Sequence, residues 1–156
     1  MKKLFHSILL LTTFGLLLGQ LLGCKEKPPE VAGKWSGNSN LTAQVSTRPG
    51  STQLQQSKPV PVQIMLTLNQ NGSGFTGDAS VTINGKPPVH LPITAGVVDQ
   101  SGEVSFEADR SGFSSVHLSF TGKLATGQLS GDVALKMDTF AGVAENAGSV
   151  TLSRIG

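Results

Sequence analysis

From Val60 to the end, the chain alternates apolar and polar residues with a period of two, run after run. In an extended strand that period sends every second side chain to one face, so that one face is buried and the other is wet. Val60, Val62, Ile64, Leu66 and Leu68 share one face, and Phe75, Ala79, Val81 and Ile83 share the next. The pattern returns in Val89, Leu91, Ile93, Ala95 and Val97, in Val104, Phe106 and Ala108, and in Val116, Leu118 and Phe120. Leu129, Val133, Leu135 and Met137 follow, and Val150 with Leu152 closes the chain. Upstream, Trp35, Leu41, Ala43 and Val45 keep one parity through a long or bent first strand.

Turn dipeptides separate the runs: Asn71-Gly72, Asn84-Gly85, Ser101-Gly102, Ser111-Gly112 and Thr126-Gly127. Such pairs supply the left-handed backbone that tight hairpins need. No window has a helical period. The expectation is an all-β domain of eight antiparallel strands in meander order, closed as an up-and-down barrel. Closure removes the exposed edges on which sheets aggregate. A two-sheet sandwich is the rival, but its crossovers need long connections, and only two are present. One is Ser46 to Pro59, rich in Gln, Ser and Pro; the other is Asp138 to Gly148, with Phe140, Val143 and Ala144, where a short helical turn fits. Leu66-Thr67-Leu68 with Gly74-Phe75-Thr76-Gly77 has a faint echo in Leu118-Ser119-Phe120 with Gly127 to Gly131, as paired hairpins would.

The N-terminus has a different character. Lys2 and Lys3 precede an apolar core from Ile8 to Leu18, and Leu21-Leu22-Gly23-Cys24 ends it with the only cysteine of the chain. This segment resembles a bacterial lipoprotein signal with its lipobox. The resemblance implies a cleaved signal peptide at 1–23, diacylglycerol on the Cys24 thiol and usually a further acyl chain on its new amino group. Each buried methylene contributes about 0.8 kcal/mol, so two or three chains anchor far better than one. The alternatives are an uncleaved transmembrane anchor over Leu4 to Leu22, weakened by Ser7, Thr12, Thr13 and Gln20, and an unlipidated secretory signal. Residues 24–32, charged and proline-containing, read as a lipidated tether to a domain at 33–156. Lys25 after the cysteine, by resemblance to enterobacterial sorting, implies an outer-membrane site facing the periplasm where the host has an outer membrane.

Without its first 23 residues the chain has 133, enough for one real core, with ten basic and ten acidic side chains. Neutral balance and the absence of a charge block argue against nucleic acid as a partner. No second cysteine exists for an intramolecular disulfide. Tyrosine is absent and tryptophan occurs once, which leaves little for stacking bases or sugars.

Gly33-Lys34-Trp35 opens the domain, and Arg154 lies near its end. The pairing resembles the calycin superfamily of lipocalins, avidins, fatty-acid-binding proteins and certain bacterial metalloprotease inhibitors. There, a Gly-x-Trp on the first strand packs under a basic side chain from near the C-terminus and closes the barrel. A guanidinium suits that place because it stacks on indole and also donates to carbonyls. The resemblance implies a structural role for Gly33, Trp35 and Arg154 and a flap at the first long connection, whose glutamines, serines and prolines otherwise read as a solvated, disordered insertion. The missing tyrosine removes the tyrosine-bearing second lipocalin motif, and the missing tryptophans argue against biotin.

Chemistry lacks an obvious site. His90 and His117 have outward parity and stand at no ligand spacing from a cysteine or carboxylate, and His6 leaves with the signal. Asp78, Glu103, Glu107, Asp132 and Lys136 also face outward, where charge solubilises. There is no Gly-x-Ser-x-Gly elbow and no phosphate loop. The expectation is a non-enzyme with no cofactor and no metal: an envelope binding module held to the membrane by its lipid. Its partner is a small apolar ligand or lipid inside the barrel or, alternatively, an envelope protein, as in an assembly subunit or inhibitor-like barrel. The inward set Ile64, Leu66, Phe75, Val81, Leu91, Phe106, Leu118, Phe120 and Leu135 is apolar enough either to line a cavity or to fill one. In the 46–59 connection, Arg48, Leu54 and Lys58 are the charged and large apolar groups available for recognition.

Overall fold

A computed structural model describes residues 27–44, 58–112, 115–139 and 142–156. Eight strands follow in order: β1 (Gly33–Gln44), β2 (Val60–Asn71), β3 (Gly74–Ile83), β4 (Val89–Val98), β5 (Glu103–Arg110), β6 (Ser115–Ala125), β7 (Gln128–Thr139) and β8 (Gly142–Arg154). Each pairs antiparallel with the next, and β1 pairs back onto β8, so the meander closes into a barrel. The expected architecture holds, and no helix occurs among the described residues.

The turn chemistry explains the tight connections. Asn84 and Gly85 both have positive φ, and Lys86 N–H returns to the Ile83 carbonyl at 3.0 Å. Thr126 and Gly127 likewise both have positive φ between the partnered Ala125 and Gln128. Left-handed backbone at both central residues matches the twist of the flanking strands. The turn after β4 is fixed differently. The Asp99 carboxylate accepts from Ser101 N–H, Ser101 Oγ and Glu103 N–H at 2.8, 2.8 and 2.9 Å.

The inward faces merge into one apolar core. Ile64, Leu66, Phe75, Val81, Leu91, Phe106, Leu118, Phe120 and Leu135 are all at most 5% exposed. At its centre Phe106 stacks on Phe120 with centroids 5.3 Å apart, and Phe75 meets Phe106 edge-on at 6.1 Å. These arrangements are the ones aromatic quadrupoles favour. The outward faces carry polar side chains such as Gln63, Thr67, Glu107 and Lys136, all exposed. Apolar inside and polar outside is the reverse of a lipid-spanning barrel.

Two expectations need correction. The stretch 138–148 is not a long connection: Asp138 pairs with Val143 and Thr139 with Gly142, so β7 and β8 form a hairpin. No helical turn lies among its described residues. The inward side of upper β8 offers the half-buried Ala144 and the buried Asn146, too small or too polar to register as apolar alternation. The parity of β4 also changes midway. Gly77 and Phe75 of β3 face Ile93 and Gly96 of β4, so two residues of β4, Thr94 and Ala95, oppose one of β3. This bulge turns Ala95 and Val97 outward and brings Gly96 and Val98 inside.

The reason for glycine at 96 is the neighbouring ring: a Cβ there would fall on the Phe75 side chain. Overfilling a packed core typically costs about 1–3 kcal/mol. Gly96→Ala is therefore expected to destabilise by that amount in denaturant unfolding, with Phe75→Leu recovering part of the loss in the double variant. An unchanged midpoint for Gly96→Ala would show that Phe75 packs elsewhere.

Candidate functional site

The two ends of the barrel differ, and the difference begins upstream of β1. Strand β1 starts, β2 ends and β8 finishes at one end, the closed end; the end of β1, the start of β2, the Asn84–Pro88 turn and Gly112 lie at the other, the mouth. Residues Lys27 to Ala32 do not hang free of the domain. They cross the closed end as a strap. Lys27 and Pro28 share an open groove with Ser73, Val98, Asp99, Gln100 and Ser101 on the β4–β5 side. The strap then passes beneath the barrel to reach β1 on the far side.

Its attachments are specific. Pro28 and Pro29 have no N–H to satisfy, which suits backbone laid over a barrel end. Val31 is fully buried, and its N–H donates to Gln70 Oε1 at 2.6 Å. Gln70 Nε2 in turn donates to the carbonyls of Pro29 and Gly72, at 3.2 and 2.8 Å. The carbonyl of Val31 accepts from Trp35 Nε1 at 2.9 Å, and that of Glu30 from Arg154 Nη2 at 2.7 Å.

The three residues singled out as the barrel closure meet here. Trp35 is fully buried and pairs directly with Arg154 across the β1–β8 ladder. The Arg154 guanidinium carbon sits 4.9 Å from the centroid of the Trp35 ring, within the reach of a cation–π contact. Gly33 takes a φ of +123°, a backbone region that side chains rarely adopt, where the strap turns into β1. Gln70 carries as much of the arrangement as Arg154, yet nothing in a run of Asn-Gln-Asn marks it. Its parity on β2 is that of the inward Val60–Leu68 set, but a polar amide there reads as the end of the apolar run, and only the strap gives it a task.

Of the residues assigned to membrane attachment and recognition, Cys24, Arg48 and Leu54 lie outside the described residues, as does the signal segment 1–23. Lys58 is exposed just before β2 at the mouth. Around that end Val60, Ile83, Val89 and Met137 are only partly buried against the core. Asn146, which shares the inward face with its partner Leu135, is 4% exposed. It is a polar interior group that apolar periodicity could not reveal.

The histidines point outward as expected, but each has a carboxylate beside it. His90 Nδ1 lies 3.1 Å from Asp78 and His117 Nδ1 2.6 Å from Asp109. Cross-strand register creates both pairs, so linear spacing conceals them. Their side chains are 38–66% exposed, where water screens the interaction. Among the described residues, no group of three or more His, Cys, Asp or Glu side chains is placed to hold a metal ion. The wall formed by β4 and β5 is acidic, with Asp99, Glu103, Glu107 and Asp109 all exposed.

At the closed end, Asp99 has its carboxyl held below the ordinary value, chiefly by the Ser101 hydroxyl and then by Glu103 N–H. A depressed folded pKa stabilises above the unfolded value of about 3.9 and ceases to do so as pH falls through the folded value. Carboxyl NMR titration should place Asp99 below free aspartate, and Asp99→Asn should flatten the acid limb of stability. An Asp99 that titrates at the free value would contradict the turn geometry.

No protein-family model matches the chain, and no curated protein matches it.

Proposed function

We propose that this protein is a lipid-anchored, non-catalytic binding module of the bacterial envelope. In this reading the signal 1–23 is cleaved and Cys24 carries the lipid. The barrel then presents a rigid scaffold, in the outer membrane facing the periplasm where the host has one. The observation that supports it most is the polarity of the barrel. Its inward side chains pack against one another, and its ionisable groups lie outside, in water, where a partner rather than a reaction would meet them. Exposed carboxylates and histidines without a desolvated pocket are poor acid–base catalysts. The chain itself offers no cofactor-binding signature.

The partner favoured is another envelope protein, bound by the mouth-side connections. The core is occupied by its own side chains at the level of the phenylalanine cluster, which leaves a buried ligand no room there. Loops on a rigid scaffold are the usual carriers of recognition. A second reading, a small apolar ligand, draws on the half-buried Val60, Ile83, Val89 and Met137 and on Asn146 near the mouth. Such a ligand would sit high in the barrel, with its polar group at the Asn146 amide.

Cys24→Ser should abolish acyl labelling and leave unprocessed precursor, while continued acylation would refute the anchor. Deleting Thr47 to Ser57 should leave the barrel folded but remove co-purifying protein partners. Partners lost only in an Asn146→Leu variant, together with a bound lipid, would favour the second reading instead.

A further inference from the structure

We infer that the closed end of the barrel is the membrane-facing end and that the mouth stands away from the bilayer. The inference rests on the proposed lipidation of Cys24, and it adds to that proposal an orientation and a lipid-apposed surface. A tether of nine residues would let the domain tumble, but the strap takes up its last six, 27–32. Val31, Gln70, Trp35 and Arg154 hold residues 29–31 against the closed end. Lys27 and Pro28 lie at the rim beside the β4–β5 turn. Only three Cα–Cα steps separate Cys24 from Lys27, a reach of at most about 11 Å. A lipid on Cys24 thus keeps the rim of the closed end close to the headgroups.

The mouth is then distant. A strand of 12 residues, such as β2, is about 40 Å long, and a barrel tilt of about 40° leaves roughly 30 Å of height. Short attachment at one rim still permits the barrel to topple toward that rim, onto the wall of β4 and β5. Charge opposes it. Asp99, Glu103, Glu107 and Asp109 are exposed on that wall against one fixed cation of β4 and β5, Arg110 at its mouth end, and anionic lipid repels this net negative charge within a Debye length. The closed end itself mixes Lys27, Lys34 and Lys123 with its acids, and the exposed Ile155 lies beside it. Such a surface tolerates headgroups without needing to enter the hydrocarbon.

The test uses the mature acylated protein in vesicles of phosphatidylethanolamine and phosphatidylglycerol. Single cysteines carrying a fluorophore are placed at the exposed positions Ser73 and Ala125 of the closed end, and at Lys86 and Ser111 of the mouth end. A lipid with a nitroxide on its headgroup is the quencher. Closed-end probes should be quenched several-fold more strongly than mouth probes. A ten-residue Gly/Ser insertion between Lys25 and Glu26 should erase most of that difference while the protein still floats with the vesicles. Equal quenching at both ends, stronger quenching at the mouth, or a difference that survives the insertion would overturn the orientation while leaving lipidation intact. A protein that carries no acyl group and fails to float would overturn both.

Discussion

The indole of Trp35 is the point on which the closed end of this barrel depends. Its ring lies fully buried under the Arg154 guanidinium, and its N–H holds the carbonyl of Val31. One side chain therefore joins the first strand, the last strand and the segment upstream of both. The β1–β8 register places Trp35 opposite Arg154, so ring closure brings cation and indole together without long-range adjustment. Arg154 then donates from Nη2 to the Glu30 carbonyl, which a lysine ammonium stacked on the ring would do less well. Strand closure, end closure and the docking of the strap are one connected arrangement.

Within the barrel, the aromatic cluster sets the other constraint. Phe75, Phe106 and Phe120 fill the space that eight strands enclose, and Gly96 gives way to Phe75. The bulge in β4 is the geometric consequence: it inverts the strand so that a residue without a side chain faces the ring. A barrel filled in this way is a scaffold first. That is why the proposed function places recognition on the mouth-side connections and assigns a small apolar ligand, its second reading, to the mouth end near Asn146.

Much of this was legible in the sequence, because period-two alternation is a local consequence of one-sided burial. The runs on β2, β5 and β6 announce their inward residues one by one. Hairpin turns were legible too, since Asn84-Gly85 and Thr126-Gly127 are demanded by local backbone geometry. What could not be read depends on distant partners. Upper β8 hides behind Ala144 and Asn146, whose inward placement follows from pairing with Met137 and Leu135 of β7 rather than from their own hydrophobicity. Ala95 and Val97 look like a continuation of Ile93 until the Gly96–Phe75 contact is known. Val31 is a single apolar residue among charges and prolines, and only the Gln70 amide far along the chain makes it part of the core. The Trp35–Arg154 pairing was accessible through family resemblance, not through pattern.

The segment before β1 is structural, an integral closure of the barrel and not merely a leash. Burying Val31 and forming the hydrogen bonds to Gln70, Trp35 and Arg154, less the cost of ordering the strap, should stabilise by about 3 kcal/mol. The most direct measurement is the thermal unfolding midpoint of the domain with and without residues 27–32. Removal of the strap should lower the midpoint on the order of 10 °C. An unchanged midpoint would mean that the barrel closes without it, and that the strap is only a tether lying where it happens to fall.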